Sequence, residues 1–178
     1  TGVVQSNTGL ELFIGSSLHD ALATIALSHP KVDIDLIATT AYQQMVEGLT
    51  PEKQIPGAYV DPDFIKEQAT LVEGLVRGFY RQAWPILLQQ YPTIKLIEQP
   101  MIYKHDGLGF MAKPDLVLQD AEGQNWVIEY KSTSSKKEEW VNQWNTAVQV
   151  HSLARVVEDY LKEPVAGVIV LGLYKGYL

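Results

Sequence analysis

The chain changes its pattern of hydrophobic and polar residues near its middle, from helical spacing to short apolar runs. In the first half the predicted helices cover residues 15–28, 39–47 and 61–91. Ser16 or Ser17 can cap the first helix, and Asp61-Pro62 is a typical helix start, with Asp as the N-cap and Pro in the first turn. Pro85 should kink or end the third helix, because proline lacks the amide hydrogen that the helix needs.

The pattern of the second half predicts mainly strands. Strands are predicted over residues 94–104, 109–119, 125–131 and 165–174, with a long helix over 136–162. Turn signals at 105–107 and 120–123 join the first three strands as hairpins. The helix between the last two strands predicts a right-handed crossover, so these two strands should be parallel. The fold class is therefore α/β, a mixed β-sheet of a three-strand meander plus a crossover strand, flanked by helices.

Composition narrows the classes of protein that fit this pattern. At 178 residues a single domain over 1–178 is expected, and no apolar run is long enough to span a bilayer. The absence of cysteine excludes disulfides, Cys-ligated zinc and Cys-ligated iron–sulfur clusters, and the absence of a leader pattern suggests a cytoplasmic protein. A net charge of −7 argues against coating nucleic acid by bulk charge, although it permits a local, metal-loaded contact with DNA.

Two short segments carry the candidate chemistry. Pro114-Asp115 lies in one predicted strand and Glu129-Tyr130-Lys131 in the next. Strand alternation places Glu129 and Lys131 on one face, and carboxylates from adjacent strands form a hard-oxygen site suited to Mg²⁺ or Mn²⁺. Lys131 could position a water molecule or stabilise negative charge. The alternative is a solvated surface hairpin, but polar groups in an otherwise apolar strand are costly unless they are paired or functional.

These residues, in this order of strands and helices, resemble the PD-(D/E)XK nuclease superfamily. Further features are similar to its RecB-type exonuclease branch, which includes CRISPR-associated and phage exonucleases. They are the Gly-x-x-x-His pattern that ends at His19, the first-strand Glu98, and Gln149 from a Gln-x-x-x-Tyr motif in which Leu153 replaces the tyrosine. Residues 30–60 match nothing in the family and are treated as an insertion or helical segment.

The resemblance implies a restriction-endonuclease-like core and a metal-dependent deoxyribonuclease that hydrolyses phosphodiester bonds. The expected role is that of an exonuclease in DNA processing, repair or phage and mobile-element replication. Its implied site consists of His19, Asp115, Glu129 and the backbone carbonyl of Tyr130 as ligands for one or two Mg²⁺ or Mn²⁺ ions, with Lys131 assisting the nucleophile and Glu98 and Gln149 as secondary residues. The DNA could be single- or double-stranded, and a protein partner could supply basic surface.

Residues around the long helix add weaker candidates. Ser132, Lys136 and Lys137 could contact phosphate, although a polar loop that only caps the next helix is about equally expected. Helical geometry places Gln149 on the side of the helix that should pack on the sheet, where it could reach the active-site rim or simply satisfy a polar group in the core.

Two alternative hypotheses assign the chain no catalytic activity. In the first, the chain is a catalytically silent nucleic-acid or protein binding module in a larger complex, and Leu153 is an early sign of decay. In the second, it is an acidic structural partner without a nucleic-acid role. The complete set of Asp115, Glu129 and Lys131 favours the nuclease, because a binding module has no need to keep it.

Overall fold

A computed structural model describes residues 8–49, 61–105, 107–134, 137–144 and 148–176. The helices are α1 (Thr8–Ser28), α2 (Ile34–Gly48), α3 (Pro62–Gly78), α4 (Trp84–Gln90), α5 (Lys137–Trp144) and α6 (Val148–Leu161). The strands are β1 (Thr93–Ile97), β2 (Met101–His105), β3 (Leu108–Ala112), β4 (Leu116–Gln119), β5 (Asn125–Thr133) and β6 (Val165–Tyr174). The chain forms two compact units, residues 1–80 and 81–178. Among the described residues, none of the helices combines the length and apolarity required to cross a membrane.

The first unit is a set of three mutually packed helices, α1 to α3. Each helix supplies fully buried apolar side chains, among them Leu18 and Leu22 from α1, Ala38 and Met45 from α2, and Val72 and Val76 from α3. Arg77 of α3 bonds to Glu73 in its own helix at 2.9 Å and also pairs with Asp35 of α2. Residues 34–48, which lie within the part treated above as an insertion or helical segment, thus form α2, a core helix of this unit.

Two helix boundaries differ from their predicted positions. α1 begins at Thr8 rather than at a Ser16 or Ser17 cap, so Gly15 lies inside a helix. Ile14 is buried, and packing of this kind offsets the cost of about 1 kcal/mol that glycine adds to a helix. α2 begins at Ile34, ahead of the predicted residue 39, because the Asp33 carboxylate accepts a hydrogen bond from the Leu36 amide and caps it.

The third predicted helix starts where expected but is interrupted. The Asp61 carboxylate accepts a hydrogen bond from the Asp63 amide, and Pro62 occupies the first turn. The chain then forms a π-helical turn over Phe79–Ala83 before α4. Pro85 explains this wider turn, since its ring would clash with the carbonyl four residues earlier and it donates no hydrogen bond.

The second unit contains a four-stranded sheet in the order β1-β4-β5-β6. β4 is antiparallel to both β1 and β5, whereas β6 is parallel to β5, as the crossover predicted. The predicted mixed sheet is thereby confirmed, and β5 is an interior strand. α6 packs on this sheet through Val156 and Val157.

The first two predicted strands are each split in two, which the sequence pattern did not reveal. Residues 94–104 form β1 and β2, residues 109–119 form β3 and β4, and β2 and β3 pair with each other as a separate two-stranded ribbon. The splits fall at Pro100 and Pro114, which cannot donate a ladder hydrogen bond. The ribbon therefore leaves the sheet beside Glu98 and Asp115.

The long helix predicted over residues 136–162 corresponds to α5 and α6, and residues 145–147 between them lie outside the described part of the chain. α5 approaches the last strand closely at Gly172, where a β-carbon would come within 3.0 Å of the Trp140 ring. Any larger residue here would have to displace the Trp140 ring by a few tenths of an ångström, so glycine allows the closest packing of the helix on β6.

A buried asparagine ties the parallel strands together, and its removal should destabilise the fold. The Asn125 amide donates to Glu163 at 2.9 Å and to the Pro164 carbonyl at 3.2 Å, and Asn125 is 1% exposed. We expect Asn125→Ala to lower the free energy of unfolding by about 2 kcal/mol, because it removes two part-buried hydrogen bonds, one of them to a charged carboxylate. Urea denaturation measures the change, and Gln124→Ala, at an exposed neighbour, should change it by less than about 0.5 kcal/mol.

Candidate active site

Three acidic residues lie in one row across the sheet, at the end where β1, β4 and β5 meet. Ile97 of β1 pairs with Leu116 of β4, so the next pair in that register is Glu98 opposite Asp115. Leu116 pairs in turn with Ile128, which places Glu129 opposite Asp115 on the other side. Directly opposed residues on antiparallel strands project to the same face. The strand register therefore gathers three carboxylates around Asp115.

The carboxylates of Asp115 and Glu129 accept backbone hydrogen bonds at the end of the β4–β5 ladder, where backbone carbonyls would otherwise be the acceptors. The Asp115 amide donates to Glu129 Oε1 at 3.3 Å, and the Tyr130 amide donates to Asp115 Oδ2 at 2.7 Å. Asp115 is 6% exposed and Glu129 4% exposed. Such reciprocal bonds fix both side chains, because each is held by the backbone of the strand opposite.

Glu98 completes the row through an unusual backbone conformation. Its φ is +48°, in the left-handed region that side chains other than glycine rarely adopt. Its amide donates to the Asp115 carbonyl at 3.1 Å, and a Glu98 carboxylate oxygen lies within 4.8 Å of one from Asp115. A conformation of this kind costs about 1 kcal/mol or more and persists where the surrounding structure imposes it, often at functional sites.

Lysines compensate part of this negative charge. Lys131 Nζ lies 3.3 Å from Glu129 Oε2, and Lys113 forms an ion pair with Glu98. Burial, followed by the negative charge of Asp115, raises the pKa of the Glu129 carboxyl, while the charge of Lys131 opposes this rise. The three carboxylates thus carry more negative charge than the two lysines neutralise, and a bound cation would compensate the remaining charge.

The donor set fits a hard divalent cation. Buried carboxylates whose remaining oxygen lone pairs point to one place are typical ligands of Mg²⁺, Mn²⁺ or Ca²⁺, and the chain has no thiolate that would favour a softer ion. Glu98 and Asp115 already have carboxylate oxygens close enough to share one ion. The raised pKa of Glu129 points the same way, because a nearby cation would stabilise its charged form.

The other residues predicted for the site are not carboxylates and lie in different parts of the chain. Tyr130 is buried with its side chain on the opposite face from Glu129, as the alternation predicted, and burial raises the pKa of its phenol. Ser132 is half-buried near the end of β5. Lys136 lies outside the described residues, and Lys137 is the first residue of α5. His19 is half-buried in α1 of the first unit, where its ligand role remains a prediction.

The predicted packing side of the long helix is partly wrong. Gln149 and Val148 are exposed, whereas Leu153, Val156 and Val157 form the buried side of α6. The buried side of the helix therefore begins at Leu153, later along the helix than the pattern suggested. Leu153, which replaces the family tyrosine, packs in the core.

Sequence reasoning missed Lys113 as a member of the site. Its pair with Glu98 joins residues fifteen positions apart, and the split of the two strands brings them together. The available signal was the Lys-Pro-Asp order, which places a lysine two residues before the central carboxylate.

The sheet and its carboxylate row define a class of protein, the metal-dependent nucleases that place an Asp and a Glu-x-Lys on neighbouring strands. The family model of the PD-(D/E)XK nuclease superfamily matches residues 5–173, and the chain belongs to this superfamily. A metal-dependent nuclease that acts on nucleic acid is the activity that membership implies. A search of curated proteins finds no match to the chain.

The raised pKa of Glu129 predicts a pH-dependent stability of the metal-free protein. Because the folded-state pKa lies above the unfolded one, ionised Glu129 destabilises the fold, and this loss develops as pH rises through the folded-state pKa. We expect Glu129→Gln to raise the melting temperature in chelator by a few degrees at pH 8, with a smaller gain near pH 5. Thermal unfolding across this pH range measures it, with exposed Glu122→Gln as the control. A variant less stable than wild type at pH 8 would contradict this account.

Proposed function

We propose that the protein is a deoxyribonuclease that uses Mg²⁺ or Mn²⁺ to hydrolyse DNA phosphodiester bonds, and that it acts as an exonuclease in DNA processing, repair or phage and mobile-element replication. The observation that carries the proposal is the row of Glu98, Asp115 and Glu129 with Lys131 at 3.3 Å from Glu129. The exonuclease role rests on the RecB-type features around His19 and Gln149.

Asp115 and Glu129 would hold one or two ions, with the Tyr130 carbonyl and Glu98 as further oxygen ligands. A bound divalent ion polarises a phosphoryl oxygen and lowers the pKa of bound water. The protein's part is to keep its carboxylates fixed, which the backbone bonds to Asp115 and Glu129 achieve before substrate arrives. Little reorganisation is then needed when the phosphate enters.

Lys131 would act on the reacting groups rather than on the ion. Its ammonium lies beside Glu129 on the same strand face, and the pair is only partly exposed. From this position the ammonium can donate a hydrogen bond to the attacking water or to the oxygen on which charge develops. Glu129 Oε2 keeps the lysine side chain aimed toward the row.

The more distant residues take roles that the family resemblance supports. His19 is proposed as a further metal ligand, because the RecB-type branch that its Gly-x-x-x-His pattern resembles uses this histidine as a ligand. Gln149, exposed at the start of α6, is proposed to position the substrate. Ser132, Lys136 and Lys137 are proposed to contact phosphates of the bound strand.

Neutralising the central carboxylate should remove both metal binding and cleavage. We expect Asp115→Asn to lower the affinity for Mn²⁺ at least tenfold and the cleavage rate at least a hundredfold, because a neutral amide replaces an anionic ligand. Isothermal titration with Mn²⁺ gives the first quantity, and hydrolysis of linear and circular, single- and double-stranded DNA gives the second. His19→Ala in the same titration tests the proposed histidine ligand.

The matched control is Asp120→Asn, which changes an aspartate at the far end of β4. Asp120 accepts a hydrogen bond from Trp126 at 2.9 Å and belongs to a turn. This variant should bind Mn²⁺ and cleave DNA as wild type does. Metal binding by the wild type without any cleavage would favour the silent binding module instead.

Replacing the lysine should separate turnover from binding. We expect Lys131→Ala to fold and to bind Mn²⁺ within about threefold of wild type, yet to lose at least a hundredfold in kcat with a small change in KM. Steady-state hydrolysis of a labelled oligonucleotide measures both constants, with exposed Lys31→Ala as a comparison. A rise in KM at unchanged kcat would instead make Lys131 an electrostatic contact with the substrate.

A further inference from the structure

The ribbon of β2 and β3 has one face directed to the core, although Phe110 near its turn stays 49% exposed, and one face exposed. Met101 is 2% exposed and belongs to a core cluster with Val156 and Val157, and Tyr103 and Ala112 pack against this cluster. The ribbon is thus anchored on α6 through its inner side. The side chains on the outer face of the ribbon are therefore held in fixed positions relative to the sheet.

The outer face presents an apolar pair flanked by lysine. Ile102 and Met111 are directly opposed across the two strands and are 67% and 81% exposed. Lys104 follows Ile102 by two residues on the same face, and Lys113 follows Met111 by two residues just beyond the end of β3. β2 and β3 contain no acidic residue, in a chain whose net charge is −7.

This face leads directly into the carboxylate row. Two residues separate Glu98 from the start of β2, and two separate the end of β3 from Asp115. Lys113 already contacts the row through its pair with Glu98. A polymer whose phosphate lies at the row would therefore have its adjacent nucleotides beside this ribbon.

We propose that the outer face of the β2–β3 ribbon binds the DNA strand next to the cleaved phosphate, with Ile102 and Met111 packed against an unstacked base. The proposal rests on the nuclease function argued above. Isoleucine and methionine serve as apolar wedges against bases in other nucleic-acid complexes, and lysines beside them would contact the phosphates. The lysines on this face complement an anionic polymer.

The size of the apolar pair argues against a protein partner. Two side chains of this kind expose on the order of 300 Å², whereas a stable protein interface buries about 800 Å² on each side. One nucleobase, by contrast, can be contacted by a wedge of one or two apolar side chains. The pair therefore fits a base better than a second copy of the chain.

The test compares single-stranded DNA binding by ribbon variants. Ile102→Thr/Met111→Thr places a β-branched residue at both strand positions while it removes most of the apolar contact, and Lys104→Gln removes one charge without touching the core. The comparison variants are Ile86→Ala, an isoleucine that is 56% exposed on α4, and the exposed Lys31→Gln. Affinity is read by fluorescence anisotropy in the Asp115→Asn background with Mg²⁺, and KM and kcat are read in the otherwise wild-type protein.

We expect the double threonine variant to bind about tenfold more weakly, because it buries less apolar surface against the base, and to show a raised KM at nearly unchanged kcat with an unaltered melting temperature. Lys104→Gln should weaken binding and reduce its salt dependence, and the comparison variants should stay within twofold of the parent. A 2-aminopurine base beside the cleaved phosphate should lose its fluorescence change in the double variant.

The outcomes separate this proposal from the nuclease function. If the wild type cleaves DNA and the ribbon variants bind and cleave as it does, the ribbon proposal fails and the nuclease stands. If the wild type binds through the ribbon but never cleaves with any divalent ion, the nuclease function fails and the ribbon contact stands. If neither binding nor cleavage occurs, both are wrong.

Discussion

The burial of the Asp115 and Glu129 carboxylates against each other is the constraint on which the second unit depends. Two like charges removed from water would cost several kcal/mol without compensation. The hydrogen bonds donated by the amides of Asp115 and Tyr130 provide part of this compensation. Lys131, at 3.3 Å from Glu129, provides a further part. The raised pKa of Glu129 shows that the balance remains incomplete. Stability is thereby exchanged for a preformed row of carboxylates, which is the usual relation between a fold and an active site.

The surrounding sheet makes this arrangement tolerable. Leu116, Val117, Val127 and Ile128 are almost fully buried, so the strands that carry the carboxylates are held by apolar packing as well as by their ladder. The parallel partner β6 makes β5 an interior strand, and Asn125 fixes the far end of that pairing. The polar row can be strained and charged at one end because the other end is well packed.

Two prolines connect the site to the surface ribbon. Pro100 and Pro114 interrupt strands that would otherwise have continued in the sheet, and the chain between them folds outward as β2 and β3. The same interruption sets Glu98 in a left-handed conformation and brings Lys113 to it. The position of Glu98, its pair with Lys113 and the exposed ribbon therefore all result from the interruption of the strands at these two prolines. This common origin places the ribbon beside the site, where a substrate strand could contact it.

The sequence by itself determined the order of elements, the parallel crossover and the pair of Asp115 with Glu129, since each depends on local periodicity or on residues fourteen positions apart. It also predicted the helix start at Asp61, where the capping chemistry is local. The split of the first two strands, the row that includes Glu98 and the exposure of Gln149 were decided only by the tertiary structure. Strand register, and the point at which a helix leaves the sheet, depend on contacts between segments far apart in the chain, and periodicity within one segment carries no information about them.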